Sequence, residues 1–199
     1  SHDGLSWSKS QAIATFGLAQ DCVSGQFRDK VGIALTYRPE GAPPDQFTNL
    51  YYLETNDLGK TWQAFPRKKL QLPLAEIDNL ARVCDFDTRW RVFLQDLTFN
   101  QVGTPAILHL LCHERIKSPA PNSRMWTISR WAGRGWETAT SLYSDHSLDG
   151  GALAIDKQKW YLAVPTIPGP QTNSSGGDLV RWMSEDGGRS WFPMRLSKD

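Results

Sequence analysis

Three short clusters in this chain hold residues able to move a proton or grip an anion. His113-Glu114-Arg115 directly follows the apolar run Ile107–Cys112, so a base, a carboxylate and a guanidinium would emerge together at a strand end. Asp145 and Asp149 bracket His146 in Tyr143-Ser144-Asp145-His146-Ser147-Leu148-Asp149-Gly150-Gly151. An imidazole can give or take a proton near neutral pH, and a carboxylate pair suits general acid/base work. Arg38, in Tyr37-Arg38-Pro39, adds a cation, and Gln171, after Gly169-Pro170, adds a hydrogen-bonding amide. His113, His146 and Asp149 are therefore the candidates for catalysis. Arg38, Arg115, Asp145 and Gln171 are the candidates for holding a substrate that carries a carboxylate.

Each cluster also has a local reading. Asp145 and Asp149 lie close to Gly150-Gly151, where a short carboxylate caps a turn. Glu114 and Arg115 can pair with each other at a solvated strand end. His109, among Leu108, Leu110 and Leu111, reads as a core or sheet-face histidine, and His2 belongs to a turn. The four His show no metal-ligand spacing, and Cys22, Cys84 and Cys112 contain no C-x-x-C pair and leave one thiol over under any connectivity. No metal and no other cofactor is expected.

The elements that would carry these residues are legible as repeats. Thr55-Asn56-Asp57-Leu58-Gly59-Lys60-Thr61-Trp62 and Ser184-Glu185-Asp186-Gly187-Gly188-Arg189-Ser190-Trp191 share the pattern [ST]-x-D-x-G-x-[ST]-W. Ser1-His2-Asp3-Gly4-Leu5-Ser6-Trp7 is one residue shorter, and Ala132-Gly133-Arg134-Gly135-Trp136 keeps only Gly and Trp. Within each turn, Asp57, Asp186 and Asp3 can accept bonds from turn amides, Gly59 and Gly188 allow positive φ, and Trp62, Trp191 and Trp7 pack between sheets. Runs of β-formers such as Leu50–Leu53 and Leu179–Met183 lead into the turns, which makes each a hairpin. Nine Trp with 16 Gly and 12 Pro favour many short strands. Leu74 to Arg82 is the best candidate for a helix.

Composition removes some classes of partner. Twenty-two basic residues face 21 acidic ones, and Arg67-Lys68-Lys69 is the one short basic run, so nucleic acid is not expected. Apolar stretches such as Ala106–Leu108 fall far short of the roughly 18 residues that span a bilayer, so no membrane span is expected. The chain starts at Ser1 with neither Met nor leader, which reads as a removed signal peptide or a start inside a longer protein.

With two strict copies and one shortened copy, the repeat resembles the Asp-box, or BNR-repeat, β-propellers of the sialidase superfamily over nearly the whole chain. Leu94-Gln95-Asp96-Leu97-Thr98-Phe99, Gly169-Pro170-Gln171 with Gly176-Gly177, and Trp126–Trp131 are similar to a BNR-repeat branch of bacterial polysaccharide-degrading proteins. The resemblance implies an all-β fold: a β-propeller of four-stranded antiparallel blades in one domain, residues 1–199. Blades fall at about 1–20 (partial), 21–70, 90–142 and 143–199. About three blades and part of a fourth cannot close a ring, which needs at least ~4, so a fragment of a six- or seven-bladed propeller is expected.

In such blades the Asp-box turns share a rim with the turns near Gly103 and Asp156, and the longer polar loops lie on the other. That opposite rim would collect Asp21, Arg38, Glu40, Asp45, His113–Arg115, Lys117, Asp145, His146, Asp149, Gln171, Asn173 and Asp178. The implied function is a glycoside hydrolase or polysaccharide lyase acting on a glycan, to which a uronic-acid polysaccharide would be suited. The Arg-Ile-Pro signature of true sialidases is missing. A non-catalytic propeller that binds glycan or protein is the alternative, since fold does not fix function. A secreted or periplasmic setting is implied by the resemblance.

Overall fold

The computed structural model describes residues 5–6, 9–86, 88–113, 124–144, 149–167 and 178–195. Their regular structure is entirely β: fourteen strands in three antiparallel sheets. The first sheet runs β1 (Ala19–Phe27), β2 (Lys30–Arg38), β3 (Thr48–Thr55), β4 (Trp62–Ala64) and β5 (Lys68–Leu70), with β6 (Arg82–Cys84) also paired to β3. The second comprises β7 (Trp90–Phe99), β8 (Pro105–His113), β9 (Arg124–Trp131) and β10 (Trp136–Ser144). The third comprises β11 (Ala152–Asp156), β12 (Lys159–Ile167), β13 (Asp178–Ser184) and β14 (Phe192–Arg195).

The first sheet differs from the expected four strands, and the reason is an open edge. Strand β4 has three residues and pairs with β3 only at Glu54↔Gln63, which leaves Leu50 and Tyr51 unpaired on that side. Buried backbone groups need partners. Cys84 and Arg82 supply them, while β5 folds back on β4 through Trp62↔Leu70. No helix forms over 74–82. Leu74 instead makes a parallel bridge with Ala14, and its amide and carbonyl bond Ile13 and Thr15, so the segment lies over the first sheet as a strap.

The sheets stack face to face. In β8 the side chains alternate between two neighbours: Ala106, Leu108, Leu110 and Cys112 pack toward Leu153, Leu162 and Val164 of the third sheet, and Ile107 packs with Ala34, Leu50 and Tyr52 of the first. Both faces of β8 are thus covered, which is why it reads as an unbroken apolar run. The far face of the first sheet is closed by Phe16, Leu74 and Ala81 over Tyr37, Tyr51 and Leu53. The first strands of the sheets, β1, β7 and β11, lie side by side.

The β1–β2, β3–β4, β7–β8, β9–β10, β11–β12 and β13–β14 turns fall at one end of this stack. Lys30 Nζ donates to the Gly103 carbonyl at 2.8 Å, and an Arg130 guanidinium N–H donates to the Gly187 carbonyl, joining turns of neighbouring sheets. In the β3–β4 turn, Asp57 accepts from the Thr61 amide (2.9 Å) and the Thr61 and Thr55 hydroxyls (2.6 and 2.8 Å). Asp186 repeats the arrangement with Ser184, Arg189 and Ser190. Gly59 (φ 84°) and Gly188 (φ 86°) occupy the left-handed region. Trp62 is buried and donates through Nε1 to the Gly59 carbonyl at 3.2 Å, while Trp191 packs beside the core between the second and third sheets. Hydrogen bonds from Thr61 lower the Asp57 carboxyl to about 2, and those from Ser190 lower Asp186 as well. Asp3 and Trp7 lie outside the described residues.

Candidate functional site

Opposite the hairpin turns, the ends of strands present the remaining polar residues. Arg38 closes β2 and His113 closes β8, equivalent places in consecutive sheets. Arg38 is held by its backbone: its carbonyl accepts from the Leu18 amide at 2.9 Å, and its Nε has no acceptor among the described residues. His113 is half-buried and meets Trp90, its cross-strand partner, edge to face at 5.1 Å between centroids. Asp149 is 1% exposed and accepts a hydrogen bond from the Ser144 hydroxyl at the end of β10. Its partner is thus at the exit of the second sheet, while His113 rests on Trp90. Asp145, His146, Arg115 and Gln171 lie outside the described residues.

The loop carrying Asp149 is positioned by two side chains that the sequence marked only as part of a resemblance. The register of β7 shifts between Leu94 and Asp96, a bulge that leaves Gln95 unpaired in the ladder. Gln95 Oε1 accepts from the Gly151 amide at 3.1 Å, and Asp96 accepts from the Leu153 amide through Oδ2 and from Leu97 through Oδ1, both at 2.8 Å. These bonds tie the entry of the third sheet to the second. Gly151 is pressed against the core there: a Cβ would stand 2.7 Å from Val164 Cγ1 and 2.8 Å from Trp126. Asp149 is therefore fixed both at its side chain and two residues downstream.

On the other side of the same bulge stands Asp21 of β1. Burial pushes its carboxyl up, against the backbone amides of Cys22 and Leu94 that favour the ionised form. The sequence placed Asp21 on this rim without a role, and it gave Trp90 none. Asp45, also on the rim, forms an ion pair with Arg91 at 3.5 Å. An imidazole, a guanidinium and carboxylates thus end on one side of the sheets, a set able to bind an acidic group and to transfer a proton. Among the described residues no group of His, Cys, Asp and Glu is arranged to hold a metal ion.

The fold is shared with a polysaccharide lyase. A solved structure described as a polysaccharide lyase of family PL25, an ulvan lyase, superposes with a TM-score of 0.67 at 16% identity, covering 90% of this chain and 42% of the lyase. The same kind of enzyme bound to -[GlcA(1-4)Rha3S]- superposes with a TM-score of 0.68, again at 16% identity and with the same coverage. This chain therefore spans less than half the length of these two structures. No family model and no curated protein matches its sequence. No helix among the described residues is long and apolar enough to cross a membrane.

Proposed function

We propose that this chain is part of a β-propeller enzyme that cleaves a uronic-acid-containing polysaccharide by β-elimination, on the rim opposite the Asp-box turns. The reading is supported by Arg38 and His113 closing equivalent strands, β2 and β8, of a fold that a polysaccharide lyase also uses. In this reading the three sheets are consecutive Asp-box blades. The outer face of the third supports a longer ring: Leu179, Phe192 and Met194 are 40%, 59% and 54% exposed where the other two sheets have covered faces. Such a face suits another blade.

The chemistry asks little beyond these side-chain types. A guanidinium such as Arg38 pairs with the uronate carboxylate and stabilises the charge that grows as the C5 proton leaves. His113 takes that proton. The C4–O bond then breaks as the C4–C5 double bond forms, and the departing oxygen takes a proton from a second acid, for which His146 is the candidate. A binding module is the second reading, favoured by the enclosure of Asp149 under Ser144. The full-length protein incubated with uronate polysaccharides separates the two. Absorbance of an unsaturated uronate supports elimination, new reducing ends without it indicate hydrolysis, and binding without either leaves the binding module.

A further inference from the structure

A concave surface lies at the other end of the sheets, among the hairpin turns. The β1–β2, β3–β4, β4–β5 and β7–β8 turns enclose a cleft of about 380 Å³, within the size range of small-ligand sites. Its inner wall is a tightly bonded network. Glu54, 3% exposed, accepts from Lys30 Nζ at 3.1 Å, Tyr52 Oη at 2.7 Å and Gln63 Nε2 at 3.1 Å. Both carboxylate oxygens are engaged and its charge is matched by Lys30. Lys30 also donates to the Gly103 carbonyl, and its ammonium stands 5.5 Å from the Phe65 ring. An ammonium has three protons. Two are directed to Glu54 and Gly103, and the third has no acceptor among the described residues.

The outer walls carry Arg28 and Arg67, both exposed and neither in an ion pair among the described residues. Each occupies a left-handed backbone conformation, at φ 58° and 53°. Gly or Asn would form such turns with less strain, so turn geometry does not call for arginine at either place. Against these three cations the cleft sets Asp29 and the already matched Glu54. Phe65 and Pro66 add an apolar side.

We infer that this cleft is a second glycan-binding site, which takes a sugar residue bearing a carboxylate or a sulfate ester, gripped by Arg28 and Arg67 with Lys30 beneath. The choice of a sugar rests on the function proposed above; the preference for an anion rests on the cleft alone. Such a site would hold a charged polymer while the opposite rim acts on it.

The test is titration of the full-length protein with a uronate oligosaccharide, a sulfated oligosaccharide, a neutral one and inorganic sulfate, followed through the amide resonances of Gly103 and Gln63. At least one charged oligosaccharide should shift these resonances and bind at least tenfold more tightly than the neutral one, and the two charged ligands reveal which anion is preferred. The double variant Arg28→Asn/Arg67→Asn, with unchanged circular dichroism, should lose at least tenfold in this binding and keep its turnover of short oligosaccharides. His113→Ala should bind there as the wild type does. Equal affinity for charged and neutral sugars, undiminished binding in the double variant, or inorganic sulfate binding as tightly as the oligosaccharides would each overturn the assignment. Binding at these resonances by a protein that cleaves nothing would remove the enzymatic reading and leave this site standing.

Discussion

Replacing His109 by leucine should stabilise the protein, and by more in acid than at neutral pH. His109 is fully buried on β8, with the Phe86 ring 5.6 Å away; neither ring nitrogen makes a well-formed hydrogen bond among the described residues, and the Ile107 backbone is the polar neighbour that favours its charged form. A buried polar group without a partner costs about 1–3 kcal/mol, so removing it should yield a gain of that order near pH 7. Burial also lowers its pKa from 6.5 to about 4. The folded protein thus holds the ring neutral while the unfolded chain takes up a proton around pH 6.5. Its contribution to stability is complete above that pH, falls as the pH drops toward about 4, and levels off below. The full loss is roughly 3 kcal/mol, of which about 2 kcal/mol falls between pH 7 and pH 5. Urea unfolding of wild type and His109→Leu at both pH values measures this, because the carboxylates and the other histidines are common to both proteins and cancel in the difference. The stability gap should widen by about 2 kcal/mol on acidification. A gap independent of pH, or a variant less stable at both, would refute the reasoning.

Three further outcomes are expected. Gly151→Ala forces a methyl group against Val164 and Trp126, and a loss of about 1–3 kcal/mol is expected in chemical unfolding. Lys30→Met leaves the buried Glu54 carboxylate with only the neutral donors Tyr52 and Gln63, a loss of about 3 kcal/mol that Glu54→Gln in the same chain should partly restore. The Asp57 carboxyl, held down by Thr61 and Thr55, should titrate near pH 2 in carbon-detected NMR. Its stabilising contribution is complete above the ordinary carboxylate range and disappears as pH falls through that value. Thr61→Ala should move the titration upward.

The strands and their hairpins were legible because the interactions that make them are local. The pattern from Thr55 to Trp62 closes its turn with bonds no longer than four residues in sequence, and the alternation of β-formers with Gly and Asp marks the rest. The segment 74–82 misled because its apolar spacing says nothing of which surface will receive it; the receiving surface was the first sheet, where β3 had an unpaired edge for β6. The candidate site was legible only as residue types at strand ends. Gln95 and Asp96 act on amides 56 and 57 residues away, so no local pattern could reveal that they position the Asp149 loop.

His109 and Glu54 show the same division. Sequence assigned the histidine to the interior from its leucine neighbours, but whether its nitrogens find partners depends on what the first sheet brings against that face, and it brings Phe86. Glu54, in a run of β-formers, gave no hint of burial; Lys30, Tyr52 and Gln63 made it possible by converging from three strands. The sequence by itself determined the turns and the alternation of strand faces, because backbone geometry and side-chain capping act over a few residues. Only the stacking of the sheets decided which polar groups would be neutralised, which left without a partner and which turned toward a cleft, because those outcomes depend on groups that meet only after the chain has folded.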